Sequence, residues 1–154
     1  KDNSDKLEQL AEKIHDSERT FVIGFGYTGL VADYLKYMFL SFGKSLNSFD
    51  NMIMVKHVYQ VLQPGDLVIV FSVSGSVKQY KELFAKCKKI NAYLVIVTMN
   101  SGLEVLNQAK LSFVLPTVSI INSNFKVQSV DSQPVFWVFA SALMRLYQDK
   151  YLAK

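Results

Sequence analysis

The chain has 154 residues, half of them hydrophobic and 19% charged, with a formal net charge of +4. That length fits one domain with a sizeable core, and the composition excludes a disordered chain. The longest apolar runs, such as residues 67–71 and 94–97, have buried-strand length, and none approaches a membrane-spanning helix; no signal peptide opens the sequence. A single cysteine, Cys87, excludes an intrachain disulfide and fits a reducing, cytoplasmic setting. His15, His57 and Cys87 lie too far apart for a standard zinc site, and no metal or cofactor is expected.

Taken in order, the pattern alternates helix and strand. Leu7, Leu10, Ala11 and Ile14 recur at helical spacing behind the capping candidates Asn3 and Ser4. Residues 20–23 read as a buried strand that ends at Gly24. A second helix turns Val31, Tyr34, Leu35, Met38 and Phe42 inward and stops at Gly43. Residues 45–49 form a short strand. Met52, Val55, Tyr59 and Leu62 mark a third helix, closed by the turn Gln63, Pro64, Gly65, Asp66.

Residues 67–71 are the strongest strand signal, continuous and rich in branched side chains. A helix follows from Val77 to Ile90, with Val77, Tyr80, Phe84 and Cys87 on one side. Cys87 is therefore expected in the core, and Lys78, Lys81, Lys86, Lys88 and Lys89 on a solvated face. Residues 93–98 are the next strand, 100–102 a turn, 103–109 a short helix and 111–115 a strand. Residues 116–128 read as polar and irregular. Asp131 or Ser132 caps a final helix, with Pro134 in its first turn and Val135, Val138, Phe139, Ala142 and Leu146 as its apolar stripe.

Near-continuous apolar strands separated by helices imply a parallel sheet covered on both faces. With right-handed crossovers the expected fold is an α/β, doubly wound sandwich: a five-stranded parallel sheet flanked by helices, flavodoxin-like in topology. One domain is expected over residues 1–154. In such sheets ligands bind beyond the carboxyl ends of the strands, where the strand order switches. Two segments of interest sit at such ends.

The first is Gly24, Phe25, Gly26, Tyr27, Thr28, Gly29, between a strand and a helix. It matches the dinucleotide fingerprint G-x-G-x-x-G, and Asp50 lies at about the right distance to meet a ribose. Glycines at a tight strand-to-helix turn are also a packing requirement, so the match alone is weak. The second is Ser72, Val73, Ser74, Gly75, Ser76. Three hydroxyls and a glycine at a predicted helix start suit a dianionic phosphate, because free backbone N–H groups and neutral hydroxyls all donate to it. One serine would suffice for a cap.

The two loops together resemble the sugar isomerase (SIS) domain, with its glycine-rich first turn and Ser-x-Ser-Gly-x-Thr second loop. The resemblance runs from Thr20 to about Tyr147 and is nearest to the effector domain of RpiR-type regulators, where a helix-turn-helix domain precedes the SIS domain. It implies a bound sugar phosphate, with Thr28, Ser72 and Ser74 as hydroxyl donors and Val73 and Gly75 as backbone donors; Gly26, Tyr27, Ser76 and Val77 complete the candidate site. Where the family continues Glu-Thr, this chain has Ser76 and Val77, so one hydroxyl is missing. Losing one donor to a charged group costs about 1.5–3 kcal/mol, and restoring threonine at Val77 is expected to tighten binding. The final helix usually opens Ser-Arg-x-x-Gln, of which Ser129 and Gln133 remain.

Isomerisation of a sugar phosphate needs a general base, a carboxylate or histidine with a tuned pKa. His15 is expected on the surface; His57, in the third helix near a strand's carboxyl end, is the better candidate base but is expected to be structural or solvent-facing, while Glu82 and Glu104 have no obvious partner. A ligand-sensing module therefore ranks above an enzyme, with an SIS-type isomerase as the alternative and a nucleotide-dependent oxidoreductase third. The chain opens on Lys1, so a segment of a longer regulator is expected, reading DNA only through a preceding helix-turn-helix domain. Phe136, Trp137, Phe139, Met144 and Tyr147 lie on more than one face of the final helix, so a homodimer through it or the second helix is expected.

Overall fold

Residues 67–72, Leu-Val-Ile-Val-Phe-Ser, are buried along their whole length, which only a strand covered on both faces allows. The structure, a computed structural model, describes residues 2–117, 119–121, 124, 127–129 and 133–152. In chain order these form α1 (Asp2–Asp16), β1 (Thr20–Gly24), α2 (Tyr27–Ser41), β2 (Asn47–Phe49), α3 (Met52–Val61) and β3 (Leu67–Ser72). They continue with α4 (Lys81–Ile90), β4 (Tyr93–Thr98), α5 (Leu103–Leu106), β5 (Leu111–Val114), β6 (Ser119–Ile121), β7 (Val127–Ser129) and α6 (Gln133–Tyr147), which runs into a π-helical turn, Gln148–Leu152. Five strands pair in parallel in the order β2-β1-β3-β4-β5.

Alternate residues of each central strand feed two cores. Val22, Leu67, Ile69, Phe71, Val95 and Val97 face α1, α2 and α6. Phe21, Ile23, Val68, Val70, Leu94 and Ile96 face α3, α4 and α5, and Cys87 lies buried there, its thiol pushed up to about 12 by burial. At the amino edge of the sheet Arg19 makes a bidentate pair with Asp66, Nε to Oδ1 at 3.0 Å and Nη2 to Oδ2 at 2.6 Å. The Leu67 N–H also donates to the Arg19 carbonyl, so β1 and β3 start level and their far ends emerge side by side. The doubly wound expectation holds, and the order reverses between β1 and β3, where a crevice must form.

Several local expectations are corrected. Asn3 and Ser4 lie inside α1, which starts at Asp2, and do not cap it. Within the span read as irregular, β6 and β7 pair antiparallel. The proposed caps Asp131 and Ser132 lie outside the described residues. The stripe assigned to α6 is rotated: Phe136, Phe139, Ala140, Leu143, Met144 and Tyr147 are buried, while Val138 is 67% exposed. A helix apolar on most sides gives spacing too little contrast to find the inward face. Phe136 and Phe139 are buried inside the chain, both edge-on to Phe71, and Trp137 is half-buried. On α2, Leu30, Tyr37 and Leu40 remain exposed.

Candidate functional site

The first loop is dictated by packing. A Cβ on Gly24 would lie 2.4 Å from the Thr28 carbonyl oxygen, and one on Gly29 would lie 2.8 Å from the Gly24 oxygen. Both positions exclude any side chain because strand end and helix start touch backbone to backbone. Gly26, at φ 62°, makes the turn between them. Thr28 locks the same turn: the Phe25 N–H donates to its Oγ1 at 3.0 Å, and that hydroxyl donates to the Phe25 carbonyl at 2.7 Å. Asp50 backs onto Gly29, its Cβ 3.1 Å from where a Gly29 Cβ would sit. The dinucleotide-like spacing is thus accounted for by close helix–strand packing.

The second loop is built differently. Gly75 and Ser76 take φ of 88° and 48°, and Ser76 is one of only two non-glycine residues at positive φ among those described. Such backbone cannot lie in a right-handed helix. The predicted helix from Val77 begins later: residues 77–80 are turns, in which the Tyr80 N–H donates to the Ser76 carbonyl at 3.0 Å, and α4 starts at Lys81. The serines sit one turn ahead of the helix, and the helix's free N–H groups are not at the loop. The loop instead satisfies itself. The Gly75 N–H donates to Ser72 Oγ at 3.0 Å, the Ser76 N–H to Ser74 Oγ at 3.3 Å, and the Ser72 and Ser76 hydroxyls share a 2.7 Å bond.

Sequence reasoning missed what holds this loop in place. The Thr98 hydroxyl and the Met99 N–H both donate to the Val73 carbonyl, at 3.0 and 3.1 Å. Asn100 Nδ2 donates to the Ser74 carbonyl at 2.9 Å, while its Oδ1 accepts the Gly102 N–H at 2.7 Å. The signal was available, since polar residues ending β4 must meet the loop that ends its neighbour β3. A Cβ on Gly75 would meet the Val105 side chain at 2.6 Å, so α5 packs directly beneath the turn.

Between the two loops lies a cavity of about 200 Å³. Of the predicted site residues, Tyr27, Thr28, Ser72, Val73, Ser74 and Ser76 line it. Gly26 and Gly75 shape the turns without lining it, and Val77 packs against the second core instead. Phe25, Phe71, Gln79 and Tyr80 complete the wall and were not anticipated as site residues. Burial pushes the Tyr80 phenol up to about 12, so it stays a neutral group. No acid, histidine or cation lines the cavity among the described residues. His15 stacks on Tyr151 with ring centroids 3.9 Å apart, and His57 is exposed on α3 outside the cavity. The described residues hold no cluster of His, Cys, Asp and Glu able to ligate a metal ion, and no helix long and apolar enough to cross a membrane.

Three comparisons bear on this arrangement. A profile of the SIS domain matches residues 13–144. A 3-hexulose-6-phosphate isomerase of Bacillus subtilis is 28% identical over 145 residues, covering 94% of this chain and 75% of that protein. Among solved structures, the Vibrio vulnificus NanR protein complexed with ManNAc-6P superposes with a TM-score of 0.80 at 20% identity, over 97% of this chain. This chain spans only 55% of the length of that one. The sugar isomerase domain of an RpiR transcription factor from Sphaerobacter thermophilus gives a TM-score of 0.74 at 17% identity, over 95% of this chain and 78% of that one. The likeness to these structures is one of fold.

Proposed function

This chain belongs to the SIS domain family, and from that premise we propose that it is a phosphosugar-binding domain that senses its ligand for a transcriptional regulator of sugar metabolism. One observation carries the choice of sensor over enzyme. The cavity at the β1–β3 switch point is lined by hydroxyls and aromatics, with no carboxylate or imidazole among the described residues to move a proton between carbons. Ser72, Ser74 and Ser76 would turn their hydroxyls from one another to the phosphate, and the Gly75 and Ser76 N–H groups would follow. NanR, whose structure holds ManNAc-6P, and the RpiR factor support the reading by fold.

The regulator reading brings three further expectations. A helix-turn-helix domain is expected to precede this domain in the whole protein, so this domain alone binds DNA only as a weakly basic protein does, losing it at moderate salt. The protein works in the cytoplasm. Two copies pair through α2, whose Leu30, Tyr37 and Leu40 share one outer face at 55%, 79% and 63% exposure.

The isomerase reading is kept as the alternative because a 3-hexulose-6-phosphate isomerase of Bacillus subtilis matches this chain over three quarters of its own length. It requires a base from outside the described cavity, such as a partner subunit. A thermal-shift panel of hexose phosphates and NAD, followed by an aldose–ketose assay on whatever binds, separates the readings. Stabilisation by a hexose phosphate without turnover is the expected result. Turnover would install the enzyme reading, and stabilisation by NAD alone would remove both.

A further inference from the structure

Of the lysines that the sequence places on one solvated face, Lys78 and Lys81 are exposed as expected and also border a groove. Lys78 and Lys81, with Lys56 from α3, line a groove of about 300 Å³ between α3 and the start of α4. Lys86, by contrast, is committed to the Tyr59 carbonyl and ring. The side-chain ammonium groups of Lys56, Lys78 and Lys81 make no ion pair or hydrogen bond among the described residues. Glu82 is the acid in the same lining, which leaves the groove positive. Buried Val55 and Leu83 give it an apolar wall.

Gln79 and Tyr80 line both this groove and the loop cavity, so the two adjoin across these side chains. The loop cavity alone, at about 200 Å³, is below the usual range of about 300–1,000 Å³ for small-molecule sites. The groove, at about 300 Å³, reaches that range. The charge distribution is equally uneven. The loop offers one anion only neutral donors, while three free ammonium groups stand next door without an anion of their own.

We infer that the ligand carries two anionic groups: a sugar phosphate bearing a second phosphate or a carboxylate, with the phosphate at Ser72–Ser74–Ser76 and the second group among Lys56, Lys78 and Lys81. This rests on the phosphosugar reading and narrows its ligand class. The apolar wall suits the sugar's carbon skeleton between the two anions, and Gln79 stands at the junction to meet its hydroxyls.

The test compares fructose 6-phosphate, fructose 1,6-bisphosphate and 6-phosphogluconate by titration calorimetry at fixed ionic strength. Because one charge-assisted contact is worth about 1.5–3 kcal/mol, at least one doubly anionic probe should bind about tenfold or more tighter than the monophosphate. In the variant Lys56→Gln, Lys78→Gln, Lys81→Gln that ratio should fall to near one, with monophosphate affinity and melting temperature unchanged. Equal affinities in the parent would overturn the proposal while leaving the phosphosugar reading intact. So would an equal weakening of all three probes by the lysine variant, since the lysines would then act as a general field. Ser74→Ala separates the two levels, because it should weaken every probe. If it weakens none, or if no probe binds at all, the loop reading fails and the proposal with it.

Discussion

The loops after β1 and β3 obey one grammar, strand then tight turn, at neighbouring positions on one sheet edge, yet they are built for opposite ends. In the first, two glycines have no room for a side chain and the threonine hydroxyl is spent on Phe25. In the second, the positive φ angles set three serines around a cavity, bonded chiefly to one another and to loop N–H groups. Hydroxyls bonded to one another within a loop exchange partners at little cost, whereas a backbone contact at a helix start has no alternative. A glycine-rich turn therefore marks close packing first, and the hydroxyl-rich turn beside it is the better guide to a ligand.

Substitutions should break the two loops in different ways. The largest effect is expected from Gly24→Ala. Its Cβ would lie 2.4 Å from a backbone oxygen, so β1 and α2 must separate. Such overpacking costs about 3 kcal/mol, read as a lower urea midpoint with an unchanged slope. An alanine variant as stable as the parent would show that the turn yields. Thr28→Val comes next, since it strands the Phe25 N–H at the loop and should cost about 1–2 kcal/mol of stability. Thr28→Ser keeps the hydroxyl and should recover most of that loss. If Thr28→Val instead leaves stability intact and abolishes phosphosugar binding, Thr28 is a ligand contact first.

Much of this was legible from the chain. Buried strand signals at residues 20–23, 67–71 and 93–98, alternating with helices, gave the parallel sheet, because strands covered on both faces are apolar almost throughout. The two loops were found because strand ends adjoin turn chemistry. What stayed hidden depends on distances between segments remote in sequence. Nothing local says that Asn100 reaches the Ser74 carbonyl, or that Lys56 and Lys81 share a groove. The start of α4 was misplaced for a different reason. Val77 and Tyr80 keep helical spacing through the turn ahead of α4, where the Tyr80 N–H donates to the Ser76 carbonyl, so spacing alone does not separate that turn from the helix. The inward face of α6 failed because apolar residues surround it.

Within the second loop, Ser74→Ala should weaken sugar-phosphate binding by about 1–3 kcal/mol, read by calorimetry, with little change in melting temperature. Ser74 is exposed, and its hydroxyl holds only the Ser76 N–H and a 3.5 Å contact to Ser76. Ser72 is the less clean probe, being buried and accepting the Gly75 N–H, so Ser72→Ala should also loosen the turn. Unaltered binding in Ser74→Ala would remove the loop from the site.

The smallest effect is expected at Val77, where the family pattern and the structure give different answers. The pattern places a threonine hydroxyl there, which favours tighter binding in Val77→Thr. The structure packs Val77 against the second core, away from the residues that line the cavity. Residues 77–80 form a turn directly after the left-handed Ser76, and Val77 is half-buried in it. A threonine there would put a hydroxyl against apolar side chains. Val to Thr is not a neutral exchange in such a place, and about 1 kcal/mol of stability should be lost. Affinity for a sugar phosphate should stay within about 0.5 kcal/mol of the parent, the range of a substitution that touches no ligand. Tighter binding in Val77→Thr would mean that the ligand reorders residues 75–80 into a helical start, with Ser76 leaving positive φ as the phosphate arrives. Paired measurement of melting temperature and affinity on this one variant therefore decides whether the turn ahead of α4 is fixed or formed anew around the ligand.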